Sequence, residues 1–183
     1  MSWGKLLQPD LVLGGSVLSL TPDILRDRNI TGLVLDVDDT LVPVTLTDVS
    51  SELQTWIATL RPEVAIWLVS NNISRARISS IAKTLDVPYL LGAGKPSRRK
   101  LRQAVEAMQL PYERVAMVGD RLFTDVLAGN RLGMYTILVE PMVNPEQEMK
   151  YNPMRNFEVW FSQALGASLV PQQDFINSNH SSN

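Results

Sequence analysis

Asp36, Asp38, Asp39 and Thr40 crowd into the stretch Leu-Val-Leu-Asp-Val-Asp-Asp-Thr-Leu-Val-Pro-Val, which runs from Leu33 to Val44. An apolar run that reads as a buried strand ends there in carboxylates that repel one another. Clustered carboxylates raise each other's pKa and weaken folding, so stability alone does not explain them. A divalent cation or a phosphate reaction resolves the conflict. Carboxylate oxygens suit Mg²⁺, which keeps several waters and uses few protein ligands. Read alone, the cluster has a solvated turn as its lesser alternative, because Asp is a common turn residue.

The elements that must position these groups follow from apolar periodicity. Short β-rich runs over 33–37, 64–69, 87–91, 115–118 and 135–139 alternate with helical spacing over 48–60, 73–85, 97–108 and 122–132. Gly133 stands where a left-handed residue would close the last helix. Such alternation implies βαβ units. The expected fold is α/β, a three-layer Rossmann-like sandwich around a central five-stranded parallel sheet. Polar residues then recur at one place: Asp36 and Asp38 follow the first strand, Ser70 the second, Gly94-Lys95 the third and Asp120 the fourth. In an open parallel sheet these positions share the carboxyl edge, where ligands bind.

Composition narrows the chemistry. With 183 residues the chain suits one domain, expected over 1–170 with a core at 31–140 and a polar, disordered tail at 171–183. Its net charge of −2 gives no expectation of a nucleic-acid partner. It has no cysteine, and its one histidine, His180, falls in the polar tail. Disulfides, thiolate sites and histidine-based triads therefore lack material. No segment is long enough to span a bilayer, and the glycine-broken stretch from Leu11 to Leu20 is a poor signal peptide. The expected location is cytoplasmic, with peripheral attachment at the inner face of a membrane as the finer alternative.

The residues resemble the haloacid dehalogenase (HAD) superfamily of phosphohydrolases, in order from Leu33 to Val139. Asp36-Val37-Asp38-Asp39-Thr40 matches its Asp-x-Asp-x-Thr motif, Ser70 its strand-end hydroxyl, and Gly94-Lys95-Pro96 its lysine. Gly119-Asp120-Arg121-Leu122-Phe123-Thr124-Asp125 matches its Gly-Asp-x-x-x-Thr-Asp motif. The resemblance implies a phosphatase with Asp36 as nucleophile and Asp38 as proton carrier. Mg²⁺ would be held by the Asp36 carboxylate, the Asp38 carbonyl and Asp120. Lys95 and Ser70 would stabilise phosphoryl charge, and Thr40 and Asp125 would support the geometry. Asp39 is expected either to back the site or to be solvated. A phospho-receiver domain is a rival reading, but its acceptor aspartate follows the third strand, and here that strand ends in Leu-Gly-Ala-Gly. An inactive binding module would lack Asp36 or Asp38, and both are present.

Both gaps that carry cap domains in this superfamily, 40–70 and 70–95, are filled by core elements, so no cap is expected. Capless members either oligomerise around small substrates or act on phosphates displayed by large partners. The whole pattern is similar to the capless branch (subfamily IIIA) that groups YqeG-type proteins with mitochondrial phosphatidylglycerophosphate phosphatases. That resemblance implies an anionic lipid substrate; soluble sugar phosphates, nucleotides and phosphoproteins are the alternatives. Arg98, Arg99, Lys100 and Arg102, with Arg75 and Arg77, offer cations for a lipid surface. For Leu6, Leu7, Leu11 and Leu13 the preferred role is to cover the domain's own sheet, and an interfacial Trp3–Leu7 segment is the alternative. Phe157, Val159, Trp160 and Phe161 are expected on a core-packing helix.

Overall fold

The computed structural model describes residues 3–142. Strands β1 (Leu11–Val12), β2 (Gly32–Leu35), β3 (Ala65–Val69), β4 (Tyr89–Leu90), β5 (Val115–Gly119) and β6 (Tyr135–Leu138) form one sheet in the order β1-β6-β5-β2-β3-β4. Every neighbouring pair is parallel. Six α-helices accompany it among the described residues: α1 (Trp3–Leu6), α2 (Pro22–Asp27), α3 (Ser51–Leu60), α4 (Arg75–Leu85), α5 (Arg99–Met108) and α6 (Leu127–Asn130). The expected core helix near Trp160, the tail and His180 lie outside the described residues.

Alternation along the strands sorts side chains into two layers. Leu33, Leu35, Ile66, Leu68, Ala116 and Val118 face one cluster, shared with Leu53, Ile57 and Leu60 of α3 and with Ile78 and Ile81 of α4. Val34, Val115 and Met117 face the other, shared with Leu101, Ala104 and Val105 of α5 and with Ala128 of α6. This is the three-layer sandwich the sequence predicts. Helix starts follow local chemistry. The Ser50 hydroxyl accepts from Leu53 N at 3.2 Å and the Thr21 hydroxyl from Ile24 N at 3.3 Å, each satisfying an orphan donor. Gly133 adopts φ +75, as expected after a helix.

The sheet has six strands rather than the five expected from sequence. The additional strand, β1, is only two residues long and pairs Leu11 with Ile137 and Val12 with Leu138. No periodicity can announce so short a strand; the exposed edge of β6 and one side-chain network create it. Thr136 donates to Asp10 Oδ2 through its N–H at 2.7 Å and its hydroxyl at 2.9 Å. Asn130 Nδ2 donates to the Leu6 and Gln8 carbonyls at 2.9 and 2.8 Å. Leu7 and Leu11 are buried, so this N-terminal stretch packs on the domain.

Chain order reverses at the centre of the sheet. From β2 the chain moves outward through β3 and β4, then returns to place β5 on the other side of β2. The crevice beyond the carboxyl ends of β2 and β5 is therefore the topological switch point, the usual ligand position in such sheets. The 40–70 and 70–95 gaps hold α3 with β3 and α4 with β4, leaving no cap domain over it.

Candidate active site

Asp36, Ser70 and Asp120 each stand one residue past a strand at that crevice. The Asp36 N–H donates to the Val118 carbonyl at 2.9 Å, and the Ser70 N–H donates to the Leu90 carbonyl at 3.0 Å. Lys95 arrives on the loop after β4, where Gly94 takes φ +61. Asn71 holds that loop: its Oδ1 accepts from Lys95 N at 2.7 Å, and its Nδ2 donates to the Lys95 carbonyl at 3.3 Å.

These strand ends bring together one buried cluster. Lys95 Nζ lies 2.6 Å from Asp36 Oδ1 and 2.7 Å from Asp125 Oδ1. The Thr40 hydroxyl donates to Asp120 Oδ1 at 3.1 Å, and Asp36 Oδ2 stands 3.5 Å from it. Asp36, Asp120 and Asp125 each offer an oxygen within 4.8 Å of the others. Asp125, expected only to support the site, thus belongs to the carboxylate cluster itself. Behind it, Gly119 leaves no room for a side chain: a Cβ there would overlap the Asp125 carboxylate.

Electrostatics follow from burial. Burial pushes the Asp36 carboxyl up to about 7, against the pull of Lys95 and with a further push from Asp125. Burial, then Asp125 and Asp36, push Asp120 up to about 8. Burial alone would lower Lys95, but Asp125 and Asp36 outweigh it and hold the ammonium well above its ordinary value. Lys95 pairs with Asp36 and Asp125, while Asp120 in the same cluster has the Thr40 hydroxyl and no ion pair among the described residues, and this shortfall of positive charge fits a divalent cation held by hard oxygen donors.

The Asp38 side chain stands apart from the cluster. Its Oδ2 accepts from the Ser70 hydroxyl at 2.9 Å, and its Oδ1 accepts from Arg77 Nη1 at 2.5 Å and Asn72 Nδ2 at 3.4 Å. Ser70 also accepts from Asn72 N at 2.9 Å, and α4 is capped later at Ser74, so Ser70 does not cap that helix. Asp39 takes φ 62 and accepts from Val44 N at 2.9 Å, shaping the turn that carries its neighbours. Arg77, expected among cations available to a lipid, is instead largely buried against Asp38.

A HAD-hydrolase-like family profile matches residues 92–159, which includes the Lys95 loop and the Gly119–Asp125 segment. The chain is 34% identical to Probable phosphatase YqeG of Bacillus subtilis (strain 168) over 132 residues, covering 72% of this chain and 76% of that protein. The chain belongs to the HAD-like phosphatases. It is also 25% identical over 146 residues to Phosphatidylglycerophosphate phosphatase 1 of Arabidopsis thaliana, covering 75% of this chain and 42% of that one. A solved structure described as a putative HAD family hydrolase from Streptomyces avermitilis MA-4680 shares the fold, with TM-score 0.51, 24% identity and coverage of 60% and 71% of the two chains.

As a HAD-like phosphatase the chain acts on a phosphate ester, and several residues around its site escaped sequence reasoning. Asn71 and Asn72 had a readable signal, since asparagines in turns commonly bond nearby backbone. Arg77 had one too: a cation in the first turn of α4 opposes the helix dipole and invites an acidic partner. Arg98, Arg99 and Arg102 lie on the Lys95–α5 connection and α5 itself. With Ser97 and Arg131 they line an open groove of about 330 Å³. Arg131 comes from beyond α6, and no local pattern links it to the others.

Proposed function

We propose that this HAD-like phosphatase is a Mg²⁺-dependent phosphomonoesterase working through an aspartyl-phosphate. The observation that carries this reading is the Asp36–Lys95–Asp125 cluster at the switch point, with Asp38 on a separate polar network. An Asp36 oxygen attacks phosphorus as the bond to the leaving alcohol breaks, and Asp38 gives that alcohol its proton. Asp38 then removes a proton from water as the water oxygen attacks the same phosphorus, releasing phosphate and freeing Asp36. Lys95 and the Ser70 hydroxyl offset charge on the phosphoryl oxygens. Asp36, Asp120 and the Asp38 carbonyl would hold Mg²⁺, with Asp125 and Thr40 fixing the carboxylates. Bound there, the cation neutralises the acid cluster and lets an anionic ester approach Asp36.

The finer reading is a phosphatidylglycerophosphate phosphatase acting at an anionic lipid surface. The Arabidopsis relative supports it by name. The arginine groove supports it by charge: among the described residues, Arg98, Arg99, Arg102 and Arg131 form no salt bridge. Three of them crowd the start of α5, where the helix dipole is already positive, an arrangement that an external anion relieves. Among the described residues no helix is long and apolar enough to cross a membrane, so contact would be peripheral.

The test is a phosphatase screen with Mg²⁺ and with EDTA, setting phosphatidylglycerophosphate beside sugar phosphates, nucleotides and phosphopeptides, with Asp36→Asn as the blank. Mg²⁺-dependent turnover that vanishes in Asp36→Asn is expected, fastest on the lipid. Turnover retained by Asp36→Asn would overturn the covalent mechanism. Preference for a soluble ester would overturn the lipid assignment alone.

A further inference from the structure

Arg77 engages three partners with one rigid fork. Its Nη1 meets Asp38 Oδ1 at 2.5 Å, its Nε donates to the Leu46 carbonyl at 2.8 Å, and its Nη2 donates to the Pro43 carbonyl at 3.0 Å. Both carbonyls belong to the segment that follows the Asp36–Thr40 motif. That segment is exposed from Val44 to Asp48 and holds no regular helix or strand before α3. The Arg77 side chain itself is 9% exposed. Within this segment Asp39 N–H donates to the Val42 carbonyl at 2.9 Å, so the turn carrying Asp38 and the Pro43–Leu46 stretch form one piece. Arg77 fastens that piece to α4.

A salt bridge kept only for stability is a weak explanation. Desolvating two charges offsets most of what their attraction contributes. Planar geometry is the more specific feature: a guanidinium donates to a carboxylate and two carbonyls in one fixed plane, whereas the three donors of an ammonium rotate about a point charge and set no such plane. Among the described residues the other donors to Asp38 are the Ser70 hydroxyl at 2.9 Å and Asn72 Nδ2 at a long 3.4 Å, and neither ties the carboxylate to α4.

We infer that Arg77 is a positioning residue of the phosphatase reaction, setting the orientation of Asp38 and the Pro43–Leu46 segment without touching the phosphoryl group. The inference rests on the reading of Asp38 as proton carrier. A proton carrier displaced by about 1 Å can lose on the order of 100-fold in rate, so the effect should appear in turnover rather than in binding.

A double-mutant cycle on the full chain, read with p-nitrophenyl phosphate and Mg²⁺, tests it. Arg77→Met should lower kcat by roughly 10- to 100-fold while KM and the Mg²⁺ dependence stay within about threefold. In the Asp38→Asn background the same change should cost less than about threefold, because the group it positions no longer transfers a proton. Arg77→Lys, which keeps charge but not the fork, should fall between wild type and Arg77→Met. Losses that multiply across the cycle would overturn the inference and make Arg77 purely structural, leaving the Asp38 assignment standing. A folded Arg77→Met with wild-type kcat would overturn it as well. Full activity in Asp38→Asn would overturn both readings at once. Should Arg77→Met not fold, the cycle is read with Arg77→Lys under the same criteria.

Discussion

Two neighbouring carboxylates, Asp36 and Asp38, sit in opposite environments. Asp36 is buried beside Lys95, whereas Asp38 meets the more open network of Ser70, Asn72 and Arg77. Asp38→Asn should lower turnover by roughly 10²–10⁴-fold with Mg²⁺ affinity retained, since the backbone carbonyl is unchanged. Asp120→Asn should instead weaken Mg²⁺ binding; isothermal titration of both variants checks the division, and equal losses of Mg²⁺ affinity would refute it. The shifts also set a pH dependence. Unfolded aspartates ionise near pH 4, whereas burial holds Asp36 to about 7 and Asp120 to about 8 in the metal-free fold. Between roughly pH 4 and 8 the folded chain keeps protons that the unfolded chain has lost, so metal-free stability falls as pH rises. Lys95, raised in the fold, stays charged across this window and contributes no slope. The Tm in EDTA should therefore drop from about pH 5 to about pH 8, and the rise in Tm on adding Mg²⁺ should grow over the same range. A Tm in EDTA that climbs with pH would contradict this electrostatic account.

Elements place these residues, and Gly119 shows how tightly. It ends β5, and any side chain there would strike Asp125, whose Oδ1 is fixed by Lys95 at 2.7 Å. Gly119→Ala should cost about 2–4 kcal/mol and lower turnover further by displacing Asp125; denaturant unfolding and kinetics on one preparation would show both. A neutral Gly119→Ala would mean that the loop yields without strain. Most of this level was legible in the chain. Apolar runs closed by Asp36, Ser70 and Asp120 announce strand ends, because a buried strand tolerates such residues only where it leaves the sheet. Leu53, Trp56, Ile57 and Leu60 announce α3 through their spacing, and all four are buried. β1 was not legible, since two residues carry no period and the edge of β6 decides their conformation. The pairing of Arg77 with Asp38 was not legible either, because it joins positions 39 residues apart through a fork whose direction only packing sets.

At the scale of the whole molecule the question is what the arginine groove meets. Replacing Arg98, Arg99 and Arg102 with Gln should weaken binding to anionic vesicles, at about 1 kcal/mol for each cation near such a surface. Activity on a small soluble ester should change far less, and the lipid effect should shrink at high salt. Vesicle co-sedimentation and turnover at two salt concentrations decide the matter. Equal losses on soluble and lipid substrates would place these arginines in the fold or the catalytic site, and no vesicle binding by the wild type would remove the membrane reading.

The edge pairing of Leu11 with Ile137 has a consequence for the chain's synthesis. The strand nearest the N-terminus leaves the ribosome first, yet its partner is the last strand of the described sheet. Until β6 emerges, Leu7 and Leu11 have no finished sheet to cover, and Asp10 has no Thr136 to bond. β2 likewise waits for β5, which supplies Asp120. Non-local parallel pairing of this kind is slow to form and leaves apolar segments open meanwhile. A nascent chain stalled before residue 115 should therefore bind chaperones and lack activity, and catalysis would report the closing of the sheet.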